Sequence, residues 1–135
     1  MIVLSVVSLF LACGDKSDDT ASGSGDGCTF EGMDFVFQSA EGFELVGDSF
    51  SIDFTQDSCQ MSFNAGCNMI GGEYEVVDGV FEMSALHSTY MECEPTLMDQ
   101  DSWLSTFFTS SPTVVHDGDT ITFTGTDVTL VFVEE

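Results

Sequence analysis

The stretch Phe63-Asn64-Ala65-Gly66-Cys67-Asn68-Met69-Ile70-Gly71-Gly72-Glu73-Tyr74, followed downstream by Ser88-Thr89-Tyr90-Met91-Glu92-Cys93, decides how this chain folds. Residues 60–65 alternate, which puts Met61, Phe63 and Ala65 on one face of a strand. Gly66-Cys67-Asn68 then breaks the alternation, and Asn68 reads as a cap of its own turn, bonding locally. Gly71-Gly72 lacks the spacing and basic neighbours of a phosphate cradle, so it reads as a bend or bulge in the next strand. Cys93 stands just ahead of Pro95, a residue suited to the first position of a helix.

The same period of two extends outward in both directions. Phe35-Val36-Phe37 opens a strand, residues 43–46 add another, and Phe50, Ile52 and Phe54 share a face. Residues 74–77 and 80–83 flank Asp78-Gly79, a strong hairpin signal. Asp117-Gly118-Asp119 lies between residues 114–115 and 120–124 as a second hairpin, and residues 128–133 form a last strand. One segment departs from this pattern. Residues 95–109 carry Leu97, Leu104, Phe107 and Phe108 at helical spacing, with Trp103 one turn before Phe107. Glu94, Asp99 and Asp101 favour the positive end of that helix, and Pro112 ends any continuation. The expected fold is α+β: a mostly antiparallel, curled sheet of seven or eight strands with one covering helix near residues 95–109.

A chain of 135 residues suffices for one domain. Its 24 acidic residues face a single base, Lys16, for a formal net charge of −23. Such a field repels phosphate backbones and anionic head groups, which excludes nucleic acid as a partner and direct adhesion to anionic lipid. The acidity reads as a strongly hydrated surface suited to a saline habitat, with divalent-cation binding as the sharper alternative. Neither Asp15, Asp18 and Asp19 nor the Asp117–Asp119 turn matches a calcium loop with its distal Glu, so no metal or cofactor is expected.

Residues 1–12 are an apolar run too short to span a bilayer. They end in Leu9-Phe10-Leu11-Ala12-Cys13, which resembles a lipobox. The expectation is a signal peptide over 1–12, lipid modification of Cys13, a flexible acidic Gly/Ser tether over 13–27 and a folded domain over 28–135. Several acyl chains on Cys13 would hold the domain at a membrane, and Gly14 behind it leans toward the outer membrane of a Gram-negative host. An ordinary cleaved secretory signal is the competing reading. Without Cys13, the even set Cys28, Cys59, Cys67 and Cys93 reads as two disulfides, for which three connectivities exist. No C-x₂-C pair occurs and His87 and His116 lie far apart, so zinc is not expected and each histidine reads as a surface residue. Ser88 beside His87 does not make a nucleophile and base, because strand neighbours point to opposite faces. No catalytic residues and no enzymatic activity are expected.

Taken together, the quoted block resembles the META domain, the HslJ-like family of bacterial envelope lipoproteins and heat-shock-associated proteins. Gly66-Cys67-Asn68, Gly72 and Tyr74 fit the family's central turn, and Thr89, Met91 and Cys93 fit its second box. Tyr90 stands where arginine is usual, and Met69 where a basic residue is frequent. Residues 35–42, Leu97-Met98-Asp99-Gln100 and residues 116–123 extend the resemblance over roughly residues 34–135. It implies a Cys67–Cys93 disulfide, which leaves Cys28–Cys59, and a cracked-barrel-like sheet. It also implies an envelope protein without catalysis, linked in relatives to stress tolerance.

The sequence thus points to a non-catalytic, lipid-anchored envelope protein acting on an envelope protein partner or in structural support. The alternative is a binding module that holds an acyl chain or apolar peptide in a groove between sheet and helix. Trp103, Phe107 and Phe108, with Met91 and Met98, would line that groove; as a simple core stripe they would bury instead.

Overall fold

The computed structural model describes residues 27–135. The expected signal peptide, Cys13 and almost all of the expected tether lie outside the described residues. Eight strands follow one another around a closed antiparallel barrel: β1 Asp34–Glu41, β2 Ser51–Phe54, β3 Gln60–Asn64, β4 Met69–Val77, β5 Val80–Ser88, β6 Thr113–Asp117, β7 Thr120–Gly125 and β8 Val128–Glu134. Pairing of β1 with β8, from Phe35↔Glu134 to Glu41↔Thr129, completes the ring. Closure leaves the described strands without a free edge except along β5, beyond its one pair with β6. One helix, α1 Pro95–Phe108, interrupts the succession between β5 and β6.

That helix stands where the barrel is weakest. β5 and β6 share the single register pair Val80↔Thr113. Beyond it, β5 has no strand neighbour on that side among the described residues, and α1 lies across the gap. Leu104, Phe107 and Phe108 are buried there. The Phe108 ring lies 5.0 Å from Phe63 and 5.2 Å from Phe123. Phe35, Phe54, Phe63, Phe81, Phe123 and Phe132 are fully buried from the strands. The interior is therefore an aromatic core packed largely edge to face, the arrangement ring quadrupoles favour. No described helix is long and apolar enough to cross a membrane.

The segment before β1 is bound to the barrel. Gly27 pairs with Val76, and Phe30 is buried against Phe54, Tyr74 and His116. The Tyr74 hydroxyl accepts the Phe30 N–H at 3.2 Å, and the Cys28–Cys59 disulfide fastens the segment to the β2–β3 loop. Burial pushes the Tyr74 phenol up from its usual value, a rise that the Phe30 N–H opposes and the Glu31 charge reinforces.

Most expected strands are present, and both hairpins turn where anticipated. Asp78 and Gly79 both take positive φ, 52° and 79°, as a tight two-residue hairpin requires. Gly71-Gly72 marks a register shift between β4 and β5. A Cβ on Gly72 would sit 2.5 Å from the Ser84 carbonyl oxygen, so the bulge needs glycine. Residues 43–46 are not a strand. They form a loop because Phe43 stacks outward on Trp103, at 4.9 Å, and Val46 bonds to a helix side chain instead of a neighbouring strand. His116 is not a free surface residue either. It meets Phe30 and Phe35 edge-on, and its Nε2 is buried without a hydrogen-bond partner among the described residues.

Candidate functional site

The two quoted sequence blocks meet at one corner of the barrel, under the start of α1. Asn64 closes the turn locally, its Oδ1 accepting the Gly66 N–H at 2.8 Å. Gly66 takes φ 106°, a conformation that favours glycine. Cys67 is buried and bonded to Cys93, tying the turn to the chain just ahead of the helix. Asn68, also buried, is the hub. Its Oδ1 accepts the Met91 N–H at 2.7 Å and the Thr89 hydroxyl at 3.0 Å. Its Nδ2 and backbone N–H both donate to Asp101 Oδ2, at 3.2 and 3.1 Å. Thr89 Oγ1 in turn accepts the Met69 N–H at 3.1 Å.

The expectation that Asn68 caps its own turn is thus corrected. Asn68 is absent from the positive-φ positions, and its side chain reaches residues more than twenty positions away. Asn64 makes the local bond instead. A buried amide is satisfied only when all its donors and acceptors find partners, and here the distant second box and the helix supply them.

Two helix residues that the sequence reading did not single out as partners hold this corner. Gln100 is buried and clamps two loops: Oε1 accepts the Val46 N–H at 2.7 Å, and Nε2 donates to the carbonyls of Val46 and Ala65. Asp101 is 6% exposed; Oδ2 serves Asn68, while Oδ1 is buried with no partner among the described residues. Of Glu94, Asp99 and Asp101, expected at the positive end of the helix, only Glu94 stands there, as the N-cap residue. Glu94 makes no side-chain cap, the first turn holds no acid, and Asp101 lies deeper in the helix. The missed signal was periodicity, since Gln100 and Asp101 fall on the stripe that also carries Leu97, Leu104 and Phe108.

Beside this corner lies a pocket of about 330 Å³, lined among others by Asn68, Leu86, His87, Tyr90, Met98 and Asp101. Its surroundings are apolar for a surface. Met69, Leu86, Tyr90, Met91 and Met98 are all exposed, Tyr90 to 94%. These five form a large share of the big apolar side chains that the described residues leave uncovered.

Of the five residues expected to line a sheet–helix groove, Trp103 and Phe107 share a recess of about 500 Å³ beside Gly125 and Val128, and Met98 lines the pocket at the Asn68 corner instead. Phe107 and Phe108 are core, as the simpler reading held. Trp103, 38% exposed, stacks outside on Phe43 and Phe107, whereas Met91 belongs to the Asn68 corner. A shallow recess of about 390 Å³ remains beside Phe43, Val46 and Trp103.

The remaining chemical groups are sparse. Both disulfides form, Cys28–Cys59 and Cys67–Cys93, in the pairing that the resemblance implied. Cys28, Glu31 and Cys59 cluster closely, but both sulfurs are in the disulfide and offer no thiolate to a metal. Asp34 and Asp53 face each other across β1 and β2. A hydrogen bond with Asp34, followed by burial and the Asp34 charge, raises the Asp53 carboxyl to about 6. The Ser88 hydroxyl donates to the Thr89 carbonyl at 2.6 Å.

An eight-stranded up-and-down barrel, sealed along one seam by a helix and stapled at the Gly66-Cys67-Asn68 turn, defines the architectural class. Residues 29–135 match the META domain model, and the chain belongs to the META domain family. Two solved structures share the fold, both determined by NMR. One is 22% identical with a TM-score of 0.62, covering 77% of this chain and 90% of its own. The other, from Burkholderia xenovorans, is 17% identical with a TM-score of 0.63, covering 90% and 98%. Among curated proteins, none matches the chain.

Proposed function

We propose that this META-domain chain is a lipid-anchored protein of the cell envelope, held by Cys13 at the outer membrane of a Gram-negative bacterium, and that it acts without catalysis through contact with an envelope protein partner. Tolerance of envelope stress is the setting that the family resemblance favours. The observation that carries the reading is the gathering of Met69, Leu86, Tyr90, Met91 and Met98 on the surface around the Cys67–Cys93 staple. Clustered apolar exposure at a corner held by a disulfide and the side-chain hydrogen bonds of Asn64, Asn68, Thr89 and Asp101 is the pattern of a preformed contact surface. Two disulfides suit an oxidising compartment. The engaged Ser88 hydroxyl gives His87 no nucleophile to activate, which supports a role outside catalysis.

The alternative, an acyl chain or apolar peptide between sheet and helix, has weaker support. Leu104, Phe107 and Phe108 fill the interior of that space, and what remains open to such a ligand is two surface recesses beside Trp103, one of about 390 Å³ against Phe43 and Val46 and one of about 500 Å³ against Phe107, Gly125 and Val128.

The test has two arms. Detergent-phase partitioning of the full chain should be lost in Cys13→Ala; identical partitioning refutes the anchor. A photo-reactive residue at Tyr90 should cross-link one envelope protein in cells, while the same residue at Val115, also exposed, should not. Equal labelling from both positions refutes the contact surface.

A further inference from the structure

The contact surface contains one feature that apolar packing does not account for. Asp101 is buried at the pocket wall, yet its Oδ1 finds no donor among the described residues. An ionised carboxylate normally accepts several hydrogen bonds, and a buried oxygen left without one is costly unless something else supplies it. Oδ2 is already satisfied by Asn68, which also fixes the orientation of the group. The other titratable side chains on the pocket wall are His87 and Tyr90. No lysine or arginine is present in the folded part of the chain to pair with Asp101, because Lys16 is the single base.

We propose that this pocket receives the guanidinium or ammonium head of an arginine or lysine side chain from a partner polypeptide, with apolar partner residues on either side of it. The inference rests on the reading that the domain works through a protein contact, and it supplies the chemistry of that contact. Asp101 Oδ1 is closed to solvent in the unbound protein, so the incoming N–H reaches it as the pocket wall shifts, and Leu86, Tyr90 and Met98 pack along the aliphatic stem. Met98 and Met91, unbranched and exposed, adjust to admit the side chain. Glu92 and Glu94 are exposed on the chain just ahead of the helix, and the net charge of −23 favours approach of a cationic segment.

The probe is acetyl-Leu-Arg-Leu-amide, compared with the same peptide carrying citrulline, which keeps the shape and loses the charge. Both are titrated into the full chain in non-ionic detergent, with the methionine methyl groups observed by NMR. The arginine peptide should shift the Met91 and Met98 methyls and bind at least about tenfold tighter than the citrulline peptide. Asp101→Asn retains an oxygen to accept both Asn68 donors, so it should fold and lose the preference. Asp99→Asn removes the same charge two residues from Asp101, outside the pocket lining and at the separate recess beside Trp103, and should keep the preference. Equal binding of the two peptides overturns the proposal. So does an Asp99→Asn variant that loses as much as Asp101→Asn, since general acidity would then explain the effect. A Tyr90 cross-link that forms while neither peptide moves a methionine methyl overturns this inference alone. Arginine-selective binding without any cross-link sustains the pocket and counts against the envelope-partner reading.

Discussion

Replacing Asn68 by Asp tests the corner with a change of one atom. The new carboxylate keeps the acceptor that serves Met91 N–H and Thr89 hydroxyl, at 2.7 and 3.0 Å. In place of the Nδ2 donor, however, an oxygen faces Asp101 Oδ2 across 3.2 Å. A charge-assisted bond worth about 2 kcal/mol is lost. Two like charges at that range, in surroundings of effective dielectric near 20, add repulsion of about 5 kcal/mol. Part of this is relieved when the new group takes up a proton, so the expected net destabilisation at pH 7 is about 3–4 kcal/mol. The new carboxyl is raised in the folded state relative to its unfolded value near 4. The penalty is therefore fully present above the folded value, shrinks as pH falls through it, and is nearly gone by about pH 4. Urea unfolding followed by fluorescence suits the measurement, because Trp103 is the single tryptophan and stacks on Phe43 and Phe107. The quantity of interest is the difference between variant and wild type at pH 7 and at pH 4, at constant ionic strength. A variant as stable as wild type at pH 7, or equally destabilised at both values, would refute the assignment of Asn68 as a donor to Asp101.

Three further outcomes are expected. Replacing Cys67 and Cys93 together by Ser opens a loop with a sequence separation of 26 and should cost about 3 kcal/mol in urea unfolding, while moving the Tyr90–Glu94 resonances more than those of β6–β8. Asp53→Asn removes a carboxyl that is raised to about 6 in the folded state, so wild-type stability from this group is present below about 4 and lost as pH rises through 6. The variant should exceed wild type at pH 7 by no more than about 1 kcal/mol, given the exposure of the pair, and match it at pH 4; a deficit at pH 7 would contradict the sign. Tyr74→Phe strands the Phe30 N–H and should cost about 1–2 kcal/mol, with hydrogen exchange at Phe30 accelerated; unchanged exchange would refute the bond.

By itself the sequence determined the elements and the staple. Alternation in Phe50-Ile52-Phe54 and Met61-Phe63-Ala65, with Asp-Gly at the hairpin tip, makes strands of these residues because a pleated chain buries every second side chain. The block around Cys67 and Cys93 carried the disulfide through its resemblance to a family. Tertiary structure alone decided closure, since pairing of β1 with β8 joins segments nearly a hundred residues apart. It also decided that residues 43–46 leave the sheet, because Trp103 and Gln100 compete for them more effectively than a strand does. Most of all, it decided the partners of Asn68. Local turn chemistry makes Asn a plausible cap, yet the barrel brings Thr89, Met91 and Asp101 within reach together, and a buried amide is held by whichever set of partners satisfies it completely.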